Sequence, residues 1–198
     1  GVRTACVGLM CFRMGTRATA GLRVTWQLAQ MAADFGVAQR TVAGMAALPL
    51  AMTLDRIANG LTRPLFGWIS DHIGRETTMA FAFTLEAIAL GCWLSLVHYP
   101  VAFVLLSGVI FLGWGEIFSL FPATLTDTFG TRDASRNYGL LYIAQGVGAV
   151  FGGPLAAWMH QASGGWYPVF ACAIAGDLLT ALLAFAVLRP MRARFLQN

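Results

Sequence analysis

The segment Leu54–Glu76, LDRIANGLTRPLFGWISDHIGRE, decides the fold because it joins an apolar helical pattern to a dense charged turn. The helical part also carries the polar residues Asp55, Arg56, Asn59 and Arg63. The last three fall at i, i+3 and i+7, which places them on one face of an α-helix. Ionisable residues within membrane helices face the bundle interior or a water-filled cavity and mark a substrate or ion path. The segment therefore predicts a polar site inside a membrane helix.

The composition excludes a soluble domain. Hydrophobic residues make up 58% of the 198 residues and charged residues only 11%, against about 25% charged in soluble domains. Mean hydropathy is +0.67. The formal net charge is +4, and all 13 cationic side chains are arginines spread between apolar runs. This spread favours the positive-inside pattern of membrane proteins over a nucleic-acid-binding surface. The sequence predicts an all-α, multi-pass membrane protein.

Six candidate spans fill the chain from residue 1 to 198 as one six-helix bundle. The last five are each near the ~20 residues that cross a bilayer. The turns that contain His98 and Gly164 hold no arginine, whereas the alternate loops and the tail are rich in it. We expect the arginine-rich side, with the C-terminus, to be cytoplasmic. Arg40 is an exception to this pattern. The approximate spans are 5–30, 42–69, 78–97, 101–124, 138–159 and 166–188.

The first span fits this pattern poorly. Each arginine near a helix centre costs about 2.5–3.5 kcal/mol on insertion scales. Two interpretations stay open: Arg13 and Arg17 share a water-filled face, or a decayed sequence inserts badly. The chain also begins without methionine, so we expect a fragment of a longer protein. The arginines of this region are Arg3, Arg13, Arg17 and Arg23.

The charges of the second span have two interpretations. In one, Asp55 neutralises the adjacent Arg56 as a structural ion pair. Arg63 has no obvious acid in its own helix, and a guanidinium at that depth suits a bidentate anionic ligand. The alternative is an acid on another span, such as Glu116 or Asp177. The sequence therefore makes Arg63 the main candidate for anion binding.

The remaining polar residues indicate no covalent chemistry. The four cysteines show no C-x-x-C spacing and no pairing with histidine, so a disulfide framework or zinc site is not expected. We find no nucleotide-binding loop or metal cluster and expect no cofactor. No pattern supplies a nucleophile, a base and an orienting group, so an enzyme is not expected. The cysteines are Cys6, Cys11, Cys92 and Cys172.

The charged turn has the spacing G-x-x-x-D-x-x-G-R, formed by Gly67, Asp71, Gly74 and Arg75. Gly74 permits a backbone conformation closed to other residues, and Asp71 and Arg75 can hold neighbouring helix ends. The pattern resembles the loop motif of the major facilitator superfamily. The resemblance implies a turn that belongs to the cytoplasmic gate of a transporter.

Longer stretches are similar to the C-terminal half of the oxalate:formate antiporter family. They are LDRIANGLTRPLFGWISDHIGRE, VLLSGVIFLGWGEIFSLFPATLTDTFGTRDASRNYGLLYIAQG and LRPMRARF, and the similarity covers about Leu22 to Phe195. It implies a twelve-helix carrier that exchanges small carboxylates by alternating access, with this chain as helices seven to twelve. A missing N-terminal half and the lipid bilayer would be its partners. Arg63 matches the family's carboxylate-binding arginine, and Trp114 and Phe118 match its aromatic pair.

Two departures from that family bear on the substrate. Gln145 stands where the family commonly has lysine, and Phe118 stands where it often has tyrosine. Two fixed cations match the two carboxylates of oxalate, whereas Arg63 with a neutral Gln145 better suits a monoanion. Arg56 could supply the second charge if Asp55 does not claim it. We therefore predict a preference for formate or lactate over oxalate.

Two alternatives stay open. The segment NGLTRP resembles the arginine-proline stretch of monocarboxylate carriers of the lactate and pyruvate type. Those carriers have an aspartate where Asn59 stands, so Glu116 is left as the candidate for proton coupling. The second alternative is that the chain is an inactive, truncated transporter. In each case the predicted location is the inner or plasma membrane.

Overall fold

The computed structural model describes Gly8, residues 28–132 and residues 134–190. Most of the predicted first span lies outside these residues, as do its four arginines and the tail arginines Arg192 and Arg194.

The described chain is almost entirely helical, which confirms the predicted all-α fold. Helix α1 is described over residues 28–34 and leads into two short strands. The helices that follow run up and down the bundle, and α7 continues into a π-helical turn at Ala184–Leu188. The elements are β1 (Thr41–Val42), β2 (Met45–Ala46), α2 (Ala47–Ile73), α3 (Arg75–Leu96), α4 (Pro100–Trp114), α5 (Ile117–Phe129), α6 (Ala134–Ser163) and α7 (Tyr167–Leu183).

The second helix begins and ends later than the predicted span of 42–69. Thr41 pairs with Ala46 in an antiparallel hairpin, whose turn holds Ala43 at φ 51° and Gly44 at φ 81°. These left-handed conformations cannot continue a right-handed helix. Helix α2 therefore starts at Ala47 and runs to Ile73. The fifth predicted span, 138–159, differs in another way, because it lies inside the longer α6.

Among the described residues, four helical stretches are long and apolar enough to cross a membrane. They are Arg75–Leu96, Pro100–Phe129, Ala134–Ser163 and Tyr167–Leu188. Helix α2 is long enough, at 27 residues, but its polar residues keep it outside this set. Large apolar side chains on α6 are exposed, including Ile143, Val150, Phe151 and Trp158. Such a surface suits lipid contact rather than water.

The core has two apolar clusters, one toward each end of the bundle. The Trp93 cluster contains Phe103 and Phe170, whose ring centroids lie 5.4 and 5.2 Å from that of Trp93. The Phe121 cluster contains Phe83, with centroids 6.3 Å apart. The side chain of Trp114 packs against both clusters. This residue therefore lies at the level where the two clusters meet.

Candidate functional site

A polar layer separates the two apolar clusters. On each long helix the Trp93 cluster and the Phe121 cluster occupy different stretches, and a polar residue lies between them. Three acids of this layer are buried, with exposures of 2% for Glu86 and 0% for Glu116 and Asp177. Buried charge is costly unless it is paired or hydrogen-bonded. The layer is therefore the place where the bundle concentrates its polar chemistry. Its members are Asn59, Arg63, Glu86, Glu116, Gln145 and Asp177.

The helical rod of α4 and α5 is interrupted within this layer. The N–H of Gly115 donates to the carbonyl of Phe111 at 3.1 Å, and the N–H of Phe118 donates to the carbonyl of Gly115 at 3.3 Å. Gly115 and Glu116 keep right-handed backbone angles. The rod therefore changes its hydrogen bonding here without reversing direction. Trp114 ends one helix, and Phe118 lies in the first turn of the next.

The interruption lets α2 approach very closely. A Cβ atom at Gly115 would lie 2.5 Å from Oδ1 of Asn59 and 3.0 Å from Cβ of Thr62. Glycine is required for that approach. The hydroxyl of Thr62 also lies 2.9 Å from the carbonyl oxygen of Leu112. The contact holds the polar face of α2 against the aromatic residues at the interruption.

Arg63 and the aromatic pair are brought together at this point. The rings of Trp114 and Phe118 meet edge to face, with centroids 5.4 Å apart and an interplanar angle of 78°. Cζ of Arg63 lies 5.3 Å from the centroid of Phe118. Within the described residues Arg63 is exposed and forms no ion pair. Neither Glu116 nor Asp177 therefore neutralises this guanidinium in the structure.

Gln145 lies in the same layer on α6. Among the described residues, it forms no hydrogen bond with Arg63 or with the Trp114–Phe118 pair. The residue is half-buried. Its Oε1 is buried and has no hydrogen-bond partner among the residues that the structure describes. A buried polar atom without a partner is uncommon in folded proteins and calls for an explanation.

The structure separates Asp55 from Arg56. Asp55 is 5% exposed, while Arg56 is exposed. The two side chains form no ion pair within the described part of the chain, since adjacent helical residues point about 100° apart. Both residues line a cavity of about 160 Å³, together with Asn59 and Trp114. The cavity is adjacent to the group formed by Arg63, Trp114 and Phe118, because Trp114 also lines the cavity.

The charged turn is built around Arg75. Its Nε donates to Oδ2 of Asp127 at 3.0 Å, and Nη1 lies 2.8 Å from Oδ1 of Asp71. The Ser70 hydroxyl also contacts this guanidinium. Gly74 has φ 90° and ψ 150° and joins α2 directly to α3. The turn thus ties α2, α3 and α5 together.

Gly67, the first residue of the turn pattern, has a different role from Gly74. Its carbonyl accepts a hydrogen bond from the Ser70 hydroxyl at 2.8 Å. A Cβ atom there would meet nothing within 4 Å. The described contacts therefore do not require glycine at this position.

Sequence reasoning missed several polar residues. Glu86 is the one acid in the apolar run from Phe81 to Leu94, which is a signal that could have found it. Asp127 was missed because its partner Arg75 is 52 positions away. At the opposite end of the bundle, Asp34 was missed for the same reason. It binds Trp166, 132 positions along the chain.

The contacts of Asp34, like those of Arg75, form a fastening, which is a set of side-chain contacts that ties several helices together. Nε1 of Trp166 donates to Oδ2 of Asp34 at 2.8 Å. Nε2 of His160 lies 3.7 Å from the same oxygen, and the His160 and Trp166 rings lie 4.0 Å apart between centroids. These contacts join α1, the end of α6 and the start of α7.

Comparison with known proteins identifies the family. A profile described as Major Facilitator Superfamily matches residues 5–196. The chain is 35% identical over 147 residues to the oxalate:formate antiporter of Oxalobacter formigenes, covering 73% of this chain and 34% of that protein. An uncharacterized MFS-type transporter of Escherichia coli is 25% identical over 50% of the chain and 25% of its own length. A multidrug resistance protein of Schizosaccharomyces pombe is 31% identical over 69% of the chain and 25% of its length.

These similarities confirm the resemblance predicted from the sequence, and they place the chain among transporters rather than enzymes. The chain spans about a third or less of the length of these curated relatives. A profile match over nearly all residues, together with the apolar helices, shows a multi-pass membrane protein. The chain belongs to the Major Facilitator Superfamily.

Proposed function

We propose that this chain forms the substrate-binding half of a secondary carrier for small carboxylate anions, which works by alternating access. The observation that carries the proposal is the position of Arg63. Its guanidinium has no counter-ion among the described residues and lies against the Trp114–Phe118 pair in the polar layer. The similarity to an oxalate:formate antiporter supports carboxylate as the substrate class.

Arg63 would be the main ligand of the anion. A guanidinium presents parallel N–H donors that match the two oxygens of a carboxylate. A cation inside a membrane bundle is costly without a counter-charge, and a bound carboxylate would supply that charge. The Phe118 ring, 5.3 Å from Cζ, would keep the guanidinium in place through cation–π attraction while the site is empty.

The aromatic pair would form the wall of the site. Trp114 and Phe118 flank the interruption at Gly115, where α2 approaches most closely. Their apolar surface suits a small organic anion and excludes water around it. Gln145 would orient the substrate from α6 through its amide. A neutral amide leaves Arg63 as the fixed cation of this site, which favours formate or lactate over oxalate.

The Arg75 turn would belong to the gate on the cytoplasmic side. The tail that carries Arg189 lies on the same side by the positive-inside rule, so the C-terminus would be cytoplasmic. We infer an inner or plasma membrane location. We also infer that the bundle of residues 1–198 pairs with an N-terminal six-helix half, because carriers of this architecture bind substrate between two halves.

Direct binding to the chain in lipid nanodiscs tests the proposal. We expect Arg63→Gln to weaken binding of radiolabelled formate by about 10- to 100-fold, since charge-assisted hydrogen bonds contribute about 1.5–3 kcal/mol. Arg136→Gln removes a positive charge from an exposed position of α6 and should leave binding unchanged. The proposal fails if the wild-type chain binds no carboxylate, or if the two variants behave alike.

The preference for monoanions is tested in the same assay with oxalate. The wild type should bind formate more tightly than oxalate, and Gln145→Lys should raise the affinity for oxalate because it restores a second cation. Equal affinities for oxalate and formate in the wild type, with no increase in oxalate affinity in Gln145→Lys, would contradict the predicted role of a second cation. Counterflow into proteoliposomes would then measure whether bound anions are also exchanged.

A further inference from the structure

We propose that the cavity beside Arg56 is a second binding site, separate from the Arg63 site, for a small carboxylate with a hydroxyl on the carbon next to its carboxylate group. The cavity has a volume of about 160 Å³ and is lined by Asp55, Arg56, Asn59 and Trp114, with apolar side chains completing it. This is several times the ~30 Å³ that one water occupies. A molecule of about five or six heavy atoms therefore fits.

Within the part of the chain that the structure describes, three polar atoms in the lining residues lack hydrogen-bond partners. They are Oδ1 of Asp55, Oδ1 of Asn59 and Nε1 of Trp114, and all three are buried. Asp55 is 95% buried, given its 5% exposure, and its Oδ1 has no hydrogen-bond partner among the described residues. Buried polar atoms without partners are costly and few in native proteins. Three of them in the lining of one cavity indicate a polar ligand.

The unsatisfied atoms define what that ligand must carry. Asp55 and Asn59 lie at i, i+4, so their acceptor oxygens share one face of α2. These oxygens require a hydrogen-bond donor. Arg56 lies beside that face and forms no ion pair within the described residues, and Trp114 adds a second donor. These two donors require an anion. A ligand with a hydroxyl next to its carboxylate satisfies both sets of groups: the hydroxyl donates to the acceptor oxygens, and the carboxylate accepts from the two donors.

The site is independent of the Arg63 site. Arg56 and Arg63 are seven residues apart on α2, or about 10 Å along the helix axis. Arg63 contacts Phe118, whereas Arg56 lines the cavity with Asp55. Loss of one site should therefore leave the other intact.

The test compares glycolate with acetate, which differ by one hydroxyl. Isothermal titration of the full chain in nanodiscs should show glycolate binding about tenfold tighter than acetate, the value of roughly one net hydrogen bond. Arg56→Gln should weaken glycolate binding at least tenfold, because a charged partner is lost. Arg63→Gln should remove binding that acetate and glycolate share at the Arg63 site, so the higher affinity for glycolate over acetate should persist in this variant. Asp55→Leu should bring the glycolate-to-acetate affinity ratio close to one without weakening acetate.

The outcomes separate this proposal from the preceding one. Equal affinities for glycolate and acetate in the wild type would overturn it, and would indicate that the cavity holds only water. Glycolate binding that is lost in Arg63→Gln but kept in Arg56→Gln would also overturn it, while supporting the Arg63 site. Arg56 is exposed, so its replacement tests the proposal even if Asp55→Leu fails to fold.

Discussion

The two ends of the bundle are fastened by different chemistry. At the Arg75 end, one guanidinium binds Asp71 and Asp127 and contacts Ser70. At the Asp34 end, one carboxylate accepts a hydrogen bond from an indole and faces an imidazole that packs at a tilt against that indole. One end thus has a cation at its centre, and the other has an anion held mostly by aromatic groups.

This difference shows that a membrane bundle can be tied at both ends by side-chain contacts that lie outside its polar layer. The Arg75 contacts join α2, α3 and α5, and the Asp34 contacts join α1, α6 and α7. Helix α4 is held to α2 by close packing, since a Cβ atom at Gly108 would lie 2.8 Å from the Leu54 side chain. The polar layer lies between these fastenings. Under the proposed carrier function, such a bundle would move as one body against a partner half.

The largest expected effect is at the turn of the Arg75 end. Gly74 has φ 90° and ψ 150°, a region almost closed to residues with a Cβ atom, so Gly74→Ala should destabilise the fold by about 1–3 kcal/mol. A Cβ atom would meet nothing within 4 Å there, so the cost is backbone strain. Thermal unfolding in detergent, followed by circular dichroism, measures the change.

The matched control is Gly165→Ala at the Asp34 end. Gly165 also has open space around it, and its φ is not in the left-handed region. We expect little change in melting temperature for this variant. Equal losses at Gly74 and Gly165 would show that the backbone of the Arg75 turn is no more constrained than that of the opposite turn.

An intermediate effect is expected when the cation at the Arg75 end is removed. Arg75→Met keeps the aliphatic packing but loses two ionic contacts, and should cost about 1–2 kcal/mol. The cost stays modest because Asp71 and Asp127 are 59% and 40% exposed and water screens them. The melting temperature of the variant in detergent gives the change.

A double-mutant cycle divides this cost between the two partners. The coupling between Arg75→Met and Asp127→Asn should exceed the coupling between Arg75→Met and Asp71→Asn, because Asp127 is less exposed and lies on a separate helix. A larger coupling to Asp71 would mean that the cation stabilises its own turn and does not fasten α5.

Local features could be predicted from the sequence, and distant contacts could not. The turn at Asp71, Gly74 and Arg75 lies within five positions, so its residues are visible as a spacing. The Asp127 contact and the Asp34–Trp166 hydrogen bond span 52 and 132 positions. No local pattern encodes such a partner, because helix packing decides which ends meet.

The same distinction holds for the fold and for the candidate site. Spans could be located because apolar length is a property of contiguous residues. The hairpin at Thr41–Ala46 was missed because its residues extend the apolar pattern of α2. The i, i+4 spacing of Trp114 and Phe118 is visible in the sequence. The contact of Phe118 with Arg63 and the approach of Gly115 to Asn59 depend on how α2 packs against the α4–α5 rod.

The smallest expected effect is at the Asp34 end, and it decides whether the two ends really differ. Asp34→Ala removes the acceptor of the Trp166 N–H and should cost about 0.5–1 kcal/mol, since the carboxylate is 42% exposed and partly screened. Asp34→Asn keeps an acceptor oxygen but removes the charge that faces His160. If the hydrogen bond to Trp166 carries the fastening, Asp34→Asn should keep more than half of the stability that Asp34→Ala loses in detergent melting experiments. Equal losses would assign the fastening to the charge instead, and the Asp34 end would then be an ionic fastening like the Arg75 end with the signs reversed.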